Sequence, residues 1–251
     1  MNFDALSPDL LAWPLAAGLA VLASHVPLGR RVLARGIVFL DLAVAQFAVL
    51  GVIAAHAAGW EAAWQTQAAA VGAALSGAAL LAACETRWPD IQEALIGSGF
   101  IVAASLATLL LAGDPHGGEH MEALLAGQIL WARPAEVGAL AALNAALLGV
   151  WLWRGARLSE RGFYLLFALA ITASVQLVGV YLVFASLILP ALAVRRLGPR
   201  TGLVAGYSLG AAGYALGLAA SAATDWPSGP AAVLALAALA LAGGLVAAGR
   251  R

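Results

Sequence analysis

Eight apolar runs, near residues 11–29, 37–56, 68–84, 94–112, 137–153, 162–194, 202–222 and 230–248, dominate the chain and restrict what it can become. A bilayer core about 30 Å thick is crossed by roughly 20 helical residues, and most of these runs have about that length. Of all 251 residues, 63% are hydrophobic and 10% charged, against roughly 45–50% and about 25% in soluble domains. A water-soluble fold could not hide so much apolar surface. A soluble enzyme, a nucleic-acid binder and a disordered chain are excluded. The expected fold is an all-α polytopic membrane protein. No Gly/Ser linker divides the runs, so residues 1–251 read as one transmembrane domain. Asp4 and Asp9 near the N-terminus, with no positive charge beside them, are the wrong start for a secretory signal. The first run therefore reads as a retained membrane helix.

All 13 basic residues are arginine, and the formal net charge is zero. Twelve of the arginines fall in alternate connections: Arg30, Arg31 and Arg35; Arg87; Arg154, Arg157 and Arg161; Arg195, Arg196 and Arg200; and Arg250 and Arg251. Short loops rich in arginine face the cytoplasm. The other connections carry acids, among them Glu61, Asp114, Glu119, Glu122, Glu136 and Asp225. The N-terminus is thus expected outside and the C-terminus inside.

Parity then fixes the sixth run. The segments 154–161 and 195–200 are both arginine-rich, so both belong on the cytoplasmic side. A straight helix over Gly162–Val194 would be about 50 Å long and end on the wrong side. A short helical hairpin turning near Gly179 satisfies both ends. The total becomes eight to nine membrane helices.

Polar groups inside such runs are costly and mark a pathway or a buried pair. Asp41 is the one acid within a run, and the bland reading pairs it with Arg30, Arg31 or Arg35. His25, His56, Gln46 and Gln176 read as packing, interface or cross-helix bonding residues. The connection after the fourth run, Gly113-Asp-Pro-His-Gly-Gly-Glu-His120, gathers two histidines and two acids. That is donor chemistry for a transition metal, although Asp-Pro and Gly-Gly are also ordinary turn formers. Met121–Trp131 reads as an amphipathic helix on the outer surface. The single cysteine, Cys84, reads as an inert apolar residue. No phosphate loop and no hydrolase signature occurs, so the chain does not bind ATP through that motif.

The stretch Gln176-Leu-Val-Gly-Val-Tyr-Leu-Val-Phe-Ala-Ser-Leu-Ile-Leu-Pro-Ala-Leu-Ala-Val-Arg-Arg196 resembles the signature of the metal-ion ABC importer permeases, the zinc and manganese uptake family. The resemblance extends to Asp225-Trp-Pro-Ser-Gly-Pro230, to Arg30–Gly51 and to Leu125-Ala-Gly-Gln-Ile-Leu-Trp131. It implies a homodimeric permease in a prokaryotic inner membrane, driven by separate ABC ATPase subunits and supplied by an extracytoplasmic metal-binding protein. The cargo implied is a divalent transition metal, zinc before manganese, with no cofactor held by the chain. Candidate metal residues are Asp41, Gln46, His116 and His120. Leu189, Arg195, Arg196, Leu197 and Arg200 are the candidate contact with the ATPase. The family commonly has His four residues after its Asp on the second helix. Here that position is Ala45, and Gln46 projects about 140° away from Asp41. The rival readings are a permease for vitamin B12, haem or a siderophore, and a secondary transporter without an ATPase.

Overall fold

The computed structural model describes residues 8–60, 62–112, 114–154 and 158–249. Asp4, Glu61, Gly113, Arg157, Arg250 and Arg251, used above, lie outside the described residues. Among those described, the chain forms nine α-helices and no strand. They are α1 (Pro8–Arg35), α2 (Leu40–Ala57), α3 (Ala63–Arg87), α4 (Gln92–Leu111), α5 (Gly117–Ala126), α6 (Pro134–Arg154), α7 (Glu160–Ala193), α8 (Pro199–Thr224) and α9 (Ser228–Gly249). Single 3-10 turns cover Pro89–Ile91 and Ile129–Trp131. Seven helices, α1 to α4 and α6 to α8, are long and apolar enough to cross a membrane, and α9 adds a shorter apolar stretch.

α7 is one element in name only. At Gly179 the backbone leaves the helical region (φ 79°, ψ 163°). Both of its ends return to the last turns of α1. Arg35 bonds Glu160 at 2.5 Å, while Arg30 donates to the carbonyl of Pro199, just beyond the other end, at 2.7 Å. A straight 34-residue helix would hold those ends about 50 Å apart. The element is the hairpin that arginine parity requires, two antiparallel arms in place of one long helix. Its turn is made possible by a second glycine. Gly127 (φ 74°) follows α5, and its backbone lies directly against that of Val178 and Gly179, where a Cβ on either glycine would strike main chain.

α1 runs past its apolar stretch to Arg35 and carries two internal prolines, Pro14 and Pro27. Pro27 has no N–H for the carbonyl of Ala23, one turn earlier. The Tyr207 hydroxyl of α8 donates to that carbonyl at 2.9 Å. The α1–α8 register is read off its glycines. Gly202 meets Arg30, Gly206 meets Val26, Gly210 meets Leu22, and Tyr214 fills the space above Gly18. Small residues at this spacing let antiparallel helices approach closely where lipid offers no hydrophobic driving force. The opposite flank of α8 does the same with α9, through Gly213 on Leu236 and Gly217 on Ala232.

The expected amphipathic helix at Met121–Trp131 is corrected in its bounds. α5 begins at Gly117 and stops at Ala126, because Gly127 takes a conformation no helix continues through. His116 and the turn before it therefore form the entry to α5.

Candidate functional site

Asp41 is the second residue of α2, and Phe39, just before the helix, donates its N–H to Glu93 Oε1 at 3.3 Å. The Asp41 side chain is fully buried, and neither carboxylate oxygen has a hydrogen-bond partner. The expected pairing with an arginine of α1 is not formed. Arg30 reaches the carbonyls of Leu197, Gly198 and Pro199, and Arg35 takes Glu160. Arg31 lies over the Trp151 ring at 5.3 Å. Two further carboxylates share this end of the molecule. Glu93 at the start of α4 and Glu85 near the end of α3 each bury an Oε2 with no partner. Gln92 donates to the Tyr164 hydroxyl at 2.5 Å between them. Glu85 and Glu93 were missed in the sequence because each sits one residue outside an apolar run, whereas the helices extend to include them.

Gln46 is buried and lines a cavity of about 660 Å³ together with Leu42, Phe100, Tyr181, Phe184 and Leu189. Asp41 does not line it. The five-residue offset turns the two side chains to different sides of α2, as the helical angle requires.

His116 and His120 lie at the opposite end. The His116 N–H donates to Asp114 Oδ1 at 2.9 Å, and His120 Nδ1 lies 3.1 Å from Asp114 Oδ2. The N–H bond from His116, first, and the neighbouring His120 hold the Asp114 carboxyl below the usual carboxylate range. The four candidate metal residues thus occupy three separate places. Among the described residues no three His, Cys, Asp or Glu side chains converge as a metal-holding group.

His25 is fully buried, with Nδ1 3.1 Å from the Ser24 hydroxyl, which donates to Asn144 Oδ1 of α6 at 2.6 Å. His56 is exposed at the far end of α2. At the arginine-rich end, Arg195, Arg196, Leu197 and Arg200 are all exposed. Arg195 turns back to the carbonyl of Leu192 at 3.0 Å. Leu189 lies deeper, at the cavity wall. The connection 194–199 is pinned from beneath by Arg30 and closes on Gly198-Pro199, which starts α8.

Seven helices long and apolar enough to cross a membrane among the described residues, glycine-packed contacts and a central hairpin define a polytopic helical membrane protein. Residues 156–247, which hold the hairpin, the pinned connection, α8 and most of α9, match the sequence model of the ABC 3 transport family. That match covers less than half of the chain and agrees with the resemblance to an ABC transporter permease. Two solved structures share the fold. The PsaBC complex of Streptococcus pneumoniae, solved with a Fab, matches with a TM-score of 0.75 at 18% identity, over 97% of this chain and 95% of that one. A transporter assigned to the metal-chelate ABC type, in an inward-facing conformation, gives 0.69 at 15% identity, over 98% and 90%. At such identities the likeness is one of fold. No curated protein sequence matches the chain.

Proposed function

We propose that this chain is the membrane-spanning subunit of an ATP-driven importer for a divalent transition metal, zinc first and manganese second. Two copies enclose the pathway in a prokaryotic inner membrane. Separate ATPase subunits drive it, and an extracytoplasmic metal-binding protein supplies it. The observation that supports this reading best is the match of residues 156–247 to a transport family. The chain carries no phosphate loop, so energy must enter through a contact. The exposed connection with Arg195, Arg196, Leu197 and Arg200 suits that contact, since Arg30 ties it to α1. Closure of the ATPase subunits would push on this connection and move α1 and the hairpin together.

Asp41 is the residue assigned to the ion. A buried carboxylate without a protein partner is costly, and a passing cation would relieve that cost. Asp41→Asn should abolish metal accumulation, measured by elemental analysis of cells, while membrane insertion stays intact. Normal accumulation would remove Asp41 from the pathway. Replacing Arg196 and Leu197 together with Ala should release the ATPase subunits in pull-downs and stop transport. An intact, active complex would place the energy input elsewhere.

A further inference from the structure

A second cavity, of about 720 Å³, opens at the end of the molecule opposite the arginine-rich connections. It is the gap that α3 and α6 leave where both pack on the first arm of α7. The Gln46 cavity is lined by the second arm instead, so the two are separate. Trp60, Trp64 and Trp131 are exposed at this end, and exposed tryptophans collect at the headgroup level of a bilayer. The cavity therefore opens sideways at the outer membrane interface. Its wall changes character with depth. Arg133 and Glu136 form the rim, and α6 runs inward from there. Three glutamines far apart in sequence converge beside them: Gln67 of α3, Gln128 before the Ile129–Trp131 turn, and Gln176 one turn short of Gly179. Each of the three is exposed. Deeper along α6 the lining is Ala139, Leu140 and Leu143, faced by Ala173 and Leu177 of α7. From Glu136 to Leu143 the helix descends about 10 Å. Charge, then amide, then hydrocarbon is the order in which a phospholipid presents headgroup, ester carbonyls and acyl chain.

The rim selects the headgroup. Arg133 Nε donates to Glu136 Oε1 at 2.8 Å, and the Arg133 backbone N–H donates to Glu136 Oε2 at 3.1 Å. The pair is neutral as a whole, so it holds no surplus charge for an anion. Both partners nevertheless keep bonding capacity. Arg133 spends Nε and Nη2 on Glu136, which leaves Nη1 with two N–H donors, and its side chain is 78% exposed. The Glu136 side chain is 38% exposed, and a carboxylate has about four lone-pair sites. A guanidinium suits a phosphate, and a carboxylate suits an ammonium. A headgroup carrying both charges meets both groups at once, whereas a purely anionic one sets its charge beside Glu136. The glutamine amides supply N–H donors for ester carbonyls, which offsets the cost of amides on otherwise apolar helices.

We infer that this cavity holds one zwitterionic phospholipid of the outer leaflet, its primary ammonium on Glu136, its phosphate on Arg133 and an acyl chain along Leu140 and Leu143. Only the membrane fold and its orientation are needed, so the site stands or falls apart from the importer reading.

Native mass spectrometry of the full chain, stripped of lipid in detergent and titrated with defined lipids, tests it. The probes are phosphatidylethanolamine, phosphatidylcholine and phosphatidylglycerol. Phosphatidylethanolamine should saturate one tight site per chain, at least about tenfold more tightly than the other two. The choline headgroup lacks N–H donors for Glu136, and the glycerol headgroup lacks the cation. Glu136→Gln keeps the side-chain shape and an acceptor for the Arg133 N–H. It should weaken phosphatidylethanolamine binding by about tenfold, the loss of one charge-assisted bond, and leave phosphatidylglycerol no weaker. Gln176→Leu should weaken phosphatidylethanolamine binding by several-fold. Glycerophosphoethanolamine, the same headgroup without chains, should fail to displace the bound lipid at equal concentration. The preference shown by the parent chain tests the assignment even where a variant folds poorly. Equal affinity for the three lipids overturns it, as does uptake that never saturates. Unchanged binding in Glu136→Gln, or displacement by the chain-free headgroup, overturns it too.

Discussion

The two ends of the molecule are held in different ways. At the arginine-rich end the contacts join elements far apart in sequence: Arg30 to Pro199, Arg35 to Glu160, Gln92 to Tyr164, and Arg31 to Trp151. At the opposite end the polar side-chain contacts near the cavity are local. Asp114 pairs with His116 and His120, and Arg133 pairs with Glu136. Local pairs shape a loop but do not tie helices to one another. Long-range ties at that end are made by backbone at glycines, Gly127 against Gly179 and Gly229 against Ala126. One end is therefore a base clamped by side chains, and the other is closed by backbone contact at a two-glycine pivot.

Breaking the pivot should have the largest effect. Both Gly127 (φ 74°, ψ 169°) and Gly179 (φ 79°, ψ 163°) occupy a region that is essentially closed to other residues. Forcing a side chain into it costs on the order of 1–3 kcal/mol before any collision. Gly179→Ala or Gly127→Ala should sharply reduce the protein recovered as a single species from detergent, and lower its melting temperature. Gly97→Ala, where a Cβ meets open space, should leave both unchanged. Equal behaviour of the three variants would remove the pivot from the account.

Loosening the base should matter less. Arg30→Ala removes one short and two longer charge-assisted bonds to carbonyls, a loss of about 1–2 kcal/mol in equilibrium unfolding. Glu160→Gln removes only a half-exposed ion pair, worth about 1 kcal/mol or less. Its effect should shrink at high salt, whereas that of Arg30→Ala should largely persist.

The smallest effect belongs to the loop at the opposite end. The Asp114 carboxyl is held below its usual range chiefly by the His116 N–H. Its contribution is therefore complete above the unfolded value of about 4, and is lost as pH falls through the lower folded value. Hydrogen-exchange protection at the start of α5, corrected for intrinsic rates, should hold from about pH 7 to 5 and decline below about 4. Asp114→Asn should flatten that profile.

Much of this fold was legible in the residues because lipid imposes strict rules. The runs marked the helices, and arginine parity required the hairpin before any contact was known. Gly179 was identifiable because a turn inside an apolar run needs a residue free of a Cβ. Its partner Gly127 was not, since no local pattern announces that two glycines 52 positions apart will meet. Helix ends were misjudged where arginines and glutamates continue a helix beyond its apolar part, as at Arg35, Glu85 and Glu93. Arginine can do so by keeping its charged head in water while its stem stays packed. The site was less legible than the fold. Asp41 stood out as an intramembrane acid, but its lack of an arginine partner depends on where three guanidinium groups turn. The convergence of Gln67, Gln128 and Gln176 exists only once α3 and α7 are packed.

The second arm of the hairpin, residues 180–193, has consequences for how the protein is made. Fourteen residues of helix rise about 21 Å, well short of a hydrocarbon core about 30 Å thick. With Ala193 at one membrane surface, the turn at Gly179 would lie short of the other, where bare peptide groups survive only if protein covers them. That cover comes from Gly127, synthesised some fifty residues earlier. An arm this short is a poor substrate for release into lipid on its own by the insertion machinery. It has to enter paired with residues 160–178, and it waits for α5 to close over its tip. Insertion of the second arm is thereby expected to depend on α5, and Gly127→Ala should leave the turn at Gly179 uncovered.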